Sequence, residues 1–366
     1  MFKPLAEEIK NPERIYGLDL MRAIAACLVV YLHGNTMLEL VSPTLACLPI
    51  MDGVDLFFAL SGFLIGRIIL RQIHKEEKLN FAFVKRFLIR RWFRTLPNYY
   101  LFLLLNIILI YGGLVKDGTL NKYLATYFVF FQNFYKPFDF LFWESWSLSV
   151  EEWFYFSFPA ALALAALFIR SRKALFVLCT GLFILFSTAV RFYKAPIGNF
   201  TFQNWDVLIR KIVICRLDSI GFGLLAAWFC FYYYSAWKKM AVPLFIFGLG
   251  IYVVILQMGI DRNHYFSATW HFTLTGLASA FLLPWAEQTK RYRGSFGKFV
   301  TFLSVISYAM YLCNRGVVSA LITHNFNYGA HPLLYYLLYW AAVIGFSALV
   351  YNFFERPLTN LRERFK

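Results

Sequence analysis

The sequence predicts an all-α polytopic membrane protein with about ten transmembrane helices and both termini cytoplasmic. Three observations lead there. Hydrophobic side chains make up 60% of the 366 residues and charged ones only 15%, against roughly 45–50% and about 25% in a soluble domain. Ten apolar runs approach the about 20 residues that a helix needs to cross a bilayer core. The basic residues alternate with those runs in the sense that orients membrane proteins. Such a composition excludes intrinsic disorder, collagen-like fibres and small disulfide scaffolds. The runs are too long for the short alternating strands of a β-barrel.

The runs lie at 18–38, 54–70, 96–115, 146–169, 174–190, 215–235, 241–258, 266–286, 297–322 and 332–354. The longest connection, 116–145, holds a shorter apolar piece, Tyr127 to Phe134, expected at the interface. No internal repeat stands out. The expected organisation is a polar cytoplasmic segment (1–16), a transmembrane domain (17–357) and a basic cytoplasmic tail (358–366). The first segment lacks the layout of a signal peptide, so the first run is expected to stay as a span. With the N-terminus inside, 24 of the 36 Lys and Arg residues fall in inner segments and 8 in outer ones. The other four, Arg22, Arg67, Arg216 and Arg315, lie within spans or at their ends. The net charge of +16 is therefore mostly an orientation signal and requires no nucleic acid. The six cysteines, Cys27, Cys47, Cys179, Cys215, Cys230 and Cys313, form no CxxC pair, and neither a metal site nor a disulfide framework is expected.

Charged groups inside a bilayer are costly, which makes each one a candidate for function. Arg22 and His33 are eleven positions apart on the first run. At 100° per residue they share a helix face, separated by about 16 Å along the axis. A cationic inner end is thus linked to a titratable group near the outer side. A histidine buried for structural reasons is the competing reading. The second run opens from the outer side with Gly53-Val54-Asp55-Leu56, so Asp55 enters at the end where His33 lies, although a helix-capping role would also place it there. The fourth run begins Trp146-Ser147-Leu148-Ser149-Val150-Glu151-Glu152. Ser147 and Glu151 share a face, while Glu152 points about 100° away, so only one glutamate is expected at a common site. A histidine oriented by a carboxylate is the usual form of a general base, and Glu151 or Asp55 could be that carboxylate. On the inner side, Arg90, Arg91 and Arg94 precede Pro97, at the depth of Arg22 and Arg67. Converging guanidinium groups suit a polyanion such as a nucleotide phosphate. Anionic lipid headgroups account for the same cluster.

Six stretches stand in order along the chain. They are Arg22 with His33; Gly53 through Ile65; Arg91, Arg94 and Pro97; Trp146-Ser147-Leu148 with Glu151, Phe154 and Tyr155; Ser307-Tyr308-Ala309-Met310-Tyr311-Leu312; and Glu355-Arg356-Pro357. Together they resemble the acyltransferase 3 family of membrane-bound O-acyltransferases, over about Leu18 to Pro357. Family members often carry a histidine where this chain has Asn314, followed by Arg315. Arg315 is then expected to pair with a carboxylate of the site. Many members also carry an SGNH hydrolase-like domain outside the membrane. This chain ends at Lys366 without one, and the resemblance then implies direct acylation of the acceptor or hand-off to a separate partner protein.

The resemblance implies transfer of an acyl group, usually acetyl, to a hydroxyl of a cell-envelope carbohydrate or glycolipid. It also implies a bacterial inner membrane. The donor would be acetyl-CoA, a substrate rather than a permanently bound cofactor. Its phosphates would rest on Arg22, Arg67, Arg91 and Arg94, and its thioester would reach His33. The imidazole would then take the proton of the acceptor hydroxyl in a direct attack. A two-step route through an acyl-enzyme on Ser147 or a tyrosine remains open. A proton-coupled transporter or flippase with His33 and Glu151 as a relay is the reading from another class, although the halves of the chain show no paired repeats with interrupted helices.

Overall fold

A computed structural model of the chain describes residues 3–46, 48, 51–75, 79–116, 118, 120–138, 141–195, 202–258, 264–290 and 294–361. Among the described residues there is no strand, and a helix occupies each of the ten apolar runs. A short amphipathic helix, α1 (Lys3–Lys10), precedes them. The helices of the runs are α2 (Tyr16–His33), α3 (Gly53–Lys75), α4 (Phe81–Tyr111), α5 (Ser145–Ala165), α6 (Arg172–Lys194), α7 (Leu217–Tyr232), α8 (Ala241–Met258), α9 (Trp270–Gln288), α10 (Ser295–Cys313) and α11 (Pro332–Val350). Seven helical segments are long and apolar enough to cross a membrane, and α7 is apolar but shorter. The chain is an all-α, multi-pass membrane protein.

Local sequence explains where several helices start and break. The Asn80 side chain accepts a hydrogen bond from the backbone N–H of Phe83 and opens α4 (3.3 Å); Ser171 does the same for α6 through Ala174 (3.3 Å). Pro332 stands in the first turn of α11, where its missing N–H costs nothing. The cationic stretch before Pro97 is not a loop but the first turns of α4, which runs through the proline. Beyond Cys313, α10 widens into a π-helical turn, Asn314–Ser319, and α11 ends in another, Tyr351–Glu355.

The bundle is drawn together at its centre by small residues. A Cβ on Gly62 of α3 would stand 2.1 Å from the carbonyl oxygen of Ile220, and one on Gly223 of α7 would stand 2.2 Å from that of Ala59. The two backbones therefore touch directly, the packing that membrane helices use when hydrocarbon gives no hydrophobic drive. Two fully buried ion pairs lock the same region. Arg191 of α6 forks onto Asp218 of α7 (2.6 and 2.9 Å), and Arg216 pairs with Asp55.

Both chain ends meet on one face, here the terminal face. The backbone N–H of Leu5 donates to the Asn352 side chain (3.2 Å) and Arg356 pairs with Glu8 (3.2 Å). On the opposite face, residues 202–216 fold inward as a cap. Trp205, Ile209, Ile212 and Cys215 form a small core of their own with Ala268 and Phe272. Asn133 ties this cap to α5 by donating to the carbonyls of Lys211 (2.7 Å) and Trp146 (3.0 Å).

Glycine-to-leucine substitution at 223 should abolish the folded species or lower its Tm steeply. The same change at Gly181, where an added Cβ meets nothing within 4 Å, should leave Tm nearly unchanged. Thermal unfolding of the two variants in detergent checks this, and equal losses would refute the packing argument.

Candidate active site

Three cavities follow one another through the bundle from the terminal face to the opposite one, with room for about 340, 140 and 290 Å³. A vestibule on the terminal face is lined by Arg14, Asp19, Arg22, Arg94, Glu355 and Arg356, among others. It shares Arg22, Leu64, Arg94, Ser304, Val305 and Glu355 with a central cavity. The central cavity in turn shares Val54 and Tyr311 with an outer cavity that holds His33.

Helix geometry decides who faces the central cavity. Arg91 and Arg94, three apart on α4, both line it. Arg22 lines it from α2 and is steadied by Asp19 (3.4 Å) and the Ser304 hydroxyl (3.3 Å). Arg94 makes no hydrogen bond or ion pair among the described residues and stands where vestibule and cavity join. From α5, Glu151 faces the cavity and accepts from the Tyr155 hydroxyl (2.9 Å). Its neighbour Glu152 turns away, accepting from Thr95 (2.7 Å) and the Trp92 indole (3.1 Å). Ser147 lines the cavity one turn earlier, its hydroxyl 2.5 Å from that of Tyr311. That contact sits at the boundary with the outer cavity.

In the outer cavity His33 is held by an amide. Its Nδ1 is hydrogen-bonded to Asn314 Oδ1. The Asn314 Nδ2 donates to the carbonyls of Met310 (2.9 Å) and Tyr311 (2.7 Å), partners that accept only and so fix which end of the amide meets the ring. His33 Nδ1 must then carry the proton, and the lone pair is on Nε2. Around the ring stand Asp52, Glu144, Asp206, Arg210, Lys211 and Arg315, with Trp143 and Trp146. Arg210 bridges Asp52 and Asp206, both at 2.7 Å. Glu144 Oε1 accepts from the backbone N–H groups of Arg315 and Gly316, each at 2.9 Å. Burial nevertheless pushes the Glu144 carboxyl up, to about 7. Among the described residues no group of three or more His, Cys, Asp or Glu is placed to hold a metal ion.

The structure separates several residues that the sequence places together. Asp55 does not meet His33. It is wholly buried on the side of α3 facing α7, where Arg216 and Ser219 take its Oδ1; its neighbour Val54 faces the cavities instead. Glu151 lies one helical turn past Ser147, on the central side of the Ser147–Tyr311 contact, so it too is not the partner of the ring. Arg67 is outside the cavities, in an ion pair with Glu287 (2.8 Å) under the Phe63 ring. Arg315 pairs through its side chain with no carboxylate among the described residues and lies over Trp143 (4.1 Å). Sequence reasoning did not find Asp52, Glu144, Asp206, Arg210, Lys211 and Glu355 as site residues. One signal was present. The outer segment 191–214 carries four basic residues, the most of any outer segment, and two of them line this cavity.

Asp206 gives the cap a pH dependence. Burial would raise its carboxyl, but Arg210 (2.7 Å) and Lys211 (2.5 Å) outweigh burial and hold it at about 2. A carboxyl depressed below its unfolded value of about 3.9 stabilises the fold above that pH and loses the contribution as pH falls through the folded value. The Tm advantage of the wild type over Asp206→Asn should therefore persist above about pH 4 and vanish toward about pH 2. Melting curves across that range check it, and a gap that does not change with pH would contradict it.

The comparisons with known proteins agree with the fold. A family-wide profile described as "Acyltransferase domain" matches residues 15–352. A Staphylococcus aureus (strain COL) protein named "Putative O-acetyltransferase" is 25% identical over 95% of this chain and 58% of its own length. The Listeria monocytogenes protein named peptidoglycan O-acetyltransferase OatA is 32% identical over 46% of this chain and 27% of its own. The chain thus spans little more than half of the first of these relatives and about a quarter of the second. No solved structure gives a significant match. With the profile covering residues 15–352, nearly the whole bundle, the chain belongs to the acyltransferase 3 family.

Proposed function

We propose that this protein transfers an acetyl group from acetyl-CoA to a hydroxyl of a cell-envelope carbohydrate, from a bacterial inner membrane. The observation that carries the reading is the series of cavities, with Arg22, Arg91 and Arg94 lining the central one and a single-tautomer histidine in the one toward the opposite face. The names of the S. aureus and L. monocytogenes relatives support O-acetylation, and the latter supports a glycan acceptor.

In this reading the donor phosphates dock on Arg94, Arg91 and Arg22, and the slender acyl arm enters the central cavity. A large anion stays out of the hydrocarbon and only the neutral arm passes. Arg22 and His33 are about 16 Å apart along α2, which sets the reach required. The acceptor hydroxyl donates to His33 Nε2 and attacks the thioester carbon as the imidazole takes its proton. The tetrahedral intermediate then collapses, the C–S bond breaks, and the proton returns to the leaving sulfur. The Ser147–Tyr311 hydroxyl pair stands nearest the junction and offers an O–H to the developing oxyanion. Asn314 orients the ring but cannot neutralise an imidazolium as a carboxylate would.

Purified protein in nanodiscs, supplied with radiolabelled acetyl-CoA and an envelope glycan fraction, should leave stable label on carbohydrate. Solute flux without covalent transfer would instead favour a transporter. His33→Ala should lower transfer by about 10²–10⁴ with expression intact, and normal turnover would overturn the base assignment. Asn314→Asp should keep activity and move the acidic limb of the pH profile to higher pH, because a carboxylate stabilises the protonated ring and the base must be deprotonated to act; Asn314→Leu should lower kcat with little change in KM. Arg91→Ala and Arg94→Ala should each reduce the rise in Tm that acetyl-CoA produces. Unchanged donor stabilisation in both would assign these arginines to lipid contact.

A further inference from the structure

The outer cavity holds one cation and one carboxylate that its own ion pairs do not use. Arg210 is shared by Asp52 and Asp206, and Lys211 by Asp206. Those two cations and two carboxylates balance. Arg315 and Glu144 remain, with no ion pair between them among the described residues. The Arg315 side chain makes no hydrogen bond or ion pair among the described residues, its Nε is buried without a partner, and the guanidinium lies over Trp143 at 4.1 Å. Stacking of this kind fixes the plane of the guanidinium and leaves its edge for a planar, bidentate acceptor. A donor left unsatisfied in a buried position is costly, so the arrangement favours whatever brings an anion to it.

A second orphan stands in the same cavity. Glu144 Oε1 is taken by two backbone N–H groups, while Oε2 is buried and has no donor. It lies beside Gly316, where a Cβ would come within 3.2 Å of it. An anion without an O–H satisfies Arg315 but offers Glu144 nothing. A neutral sugar can donate to Glu144 and accept singly from Arg315, but it gives the guanidinium neither a bidentate partner nor a counter-charge. A molecule with a carboxylate and hydroxyls satisfies both, and His33 in the same cavity has its Nε2 lone pair ready for another of those hydroxyls.

We propose that the outer cavity takes an acidic sugar as acceptor, with its carboxylate on the Arg315 guanidinium and a hydroxyl on Glu144 Oε2. The inference rests on the transferase reading for calling this molecule an acceptor. The site itself does not need turnover to be tested.

The test is binding of trigalacturonate and of its methyl ester to the full-length protein in nanodiscs, read by tryptophan fluorescence. The two probes share a backbone and differ only in charge. Trigalacturonate should bind at least ten-fold tighter than the ester. Arg315→Gln should bring the ratio close to one while the Tm rise with acetyl-CoA is retained, and Arg315→Lys should keep part of the preference. Equal affinity of acid and ester for the wild type overturns the proposal, as does an Arg315→Gln protein that binds the acid as tightly as the wild type. Should that variant fail to fold, the acid-to-ester ratio of the wild type alone decides. Tighter binding of glucose 6-phosphate than of galacturonate would reassign Arg315 to a phosphate and also overturn it. Acid-selective binding without acetyl transfer keeps this inference and refutes the transferase reading, whereas transfer to neutral sugars with no acid preference does the reverse.

Discussion

Hydrocarbon offers no partner to a charge, so every charged side chain inside this bundle must find one within the protein or face an internal cavity. That constraint sorts the charges. Arg191 with Asp218, Arg216 with Asp55, and Arg67 with Glu287 are closed pairs between helices. Removing one member of a fully buried pair, as in Arg191–Asp218 and Arg216–Asp55, typically costs about 3–5 kcal/mol, which marks these two as parts of the frame. Arg22, Arg91, Arg94, Glu151 and Glu355 instead converge on the central cavity, and Asp52, Asp206, Arg210, Lys211 and Arg315 on the outer one. A frame of closed pairs holds a column of open polar groups in place.

The break in α10 turns that frame into a site. A regular helix through 314–319 would keep its N–H groups for itself. The π-helical turn there lets Arg315 and Gly316 present theirs to Glu144, and only a glycine lets the Asn106 side chain and the Glu144 carboxylate approach so closely. The same turn aims Asn314 at His33. Single π turns inside helices often mark functional positions, and here the irregularity sets both the tautomer of the ring and the placement of the neighbouring cation. The opposite wall is supplied by the cap, which Asn133 pins to the start of α5 and whose own small core keeps Arg210 and Lys211 turned inward.

What could be read from the sequence was what depends on one helix at a time. The shared face of Arg22 and His33, the pairing of Arg91 with Arg94, and the divergence of Glu151 from Glu152 all follow from 100° per residue. Partnerships between helices were not legible. Asp55 meets Arg216, which is 161 positions away, and the orienting group of His33 comes from 281 positions away. Periodicity gives a side chain a direction on its own helix but not the identity of the helix it meets. Arg67 shows the same limit, since its partner Glu287 lies 220 positions away. Glu144 immediately precedes α5, where hydropathy cannot distinguish a buried carboxylate from a wet one.

The central claim is that a passage links Arg22, Arg91 and Arg94, toward one face, to His33 near the other. The most direct test is a cryo-electron microscopy structure with acetonyl-CoA, a non-transferable ketone analogue of the proposed donor. The account predicts phosphates against Arg22, Arg91 and Arg94, an extended arm through the central cavity, and the ketone carbon between the Ser147–Tyr311 pair and the His33 ring. Density for the analogue anywhere else, or phosphates lodged among Arg210, Lys211 and Arg315 on the opposite face, would contradict it.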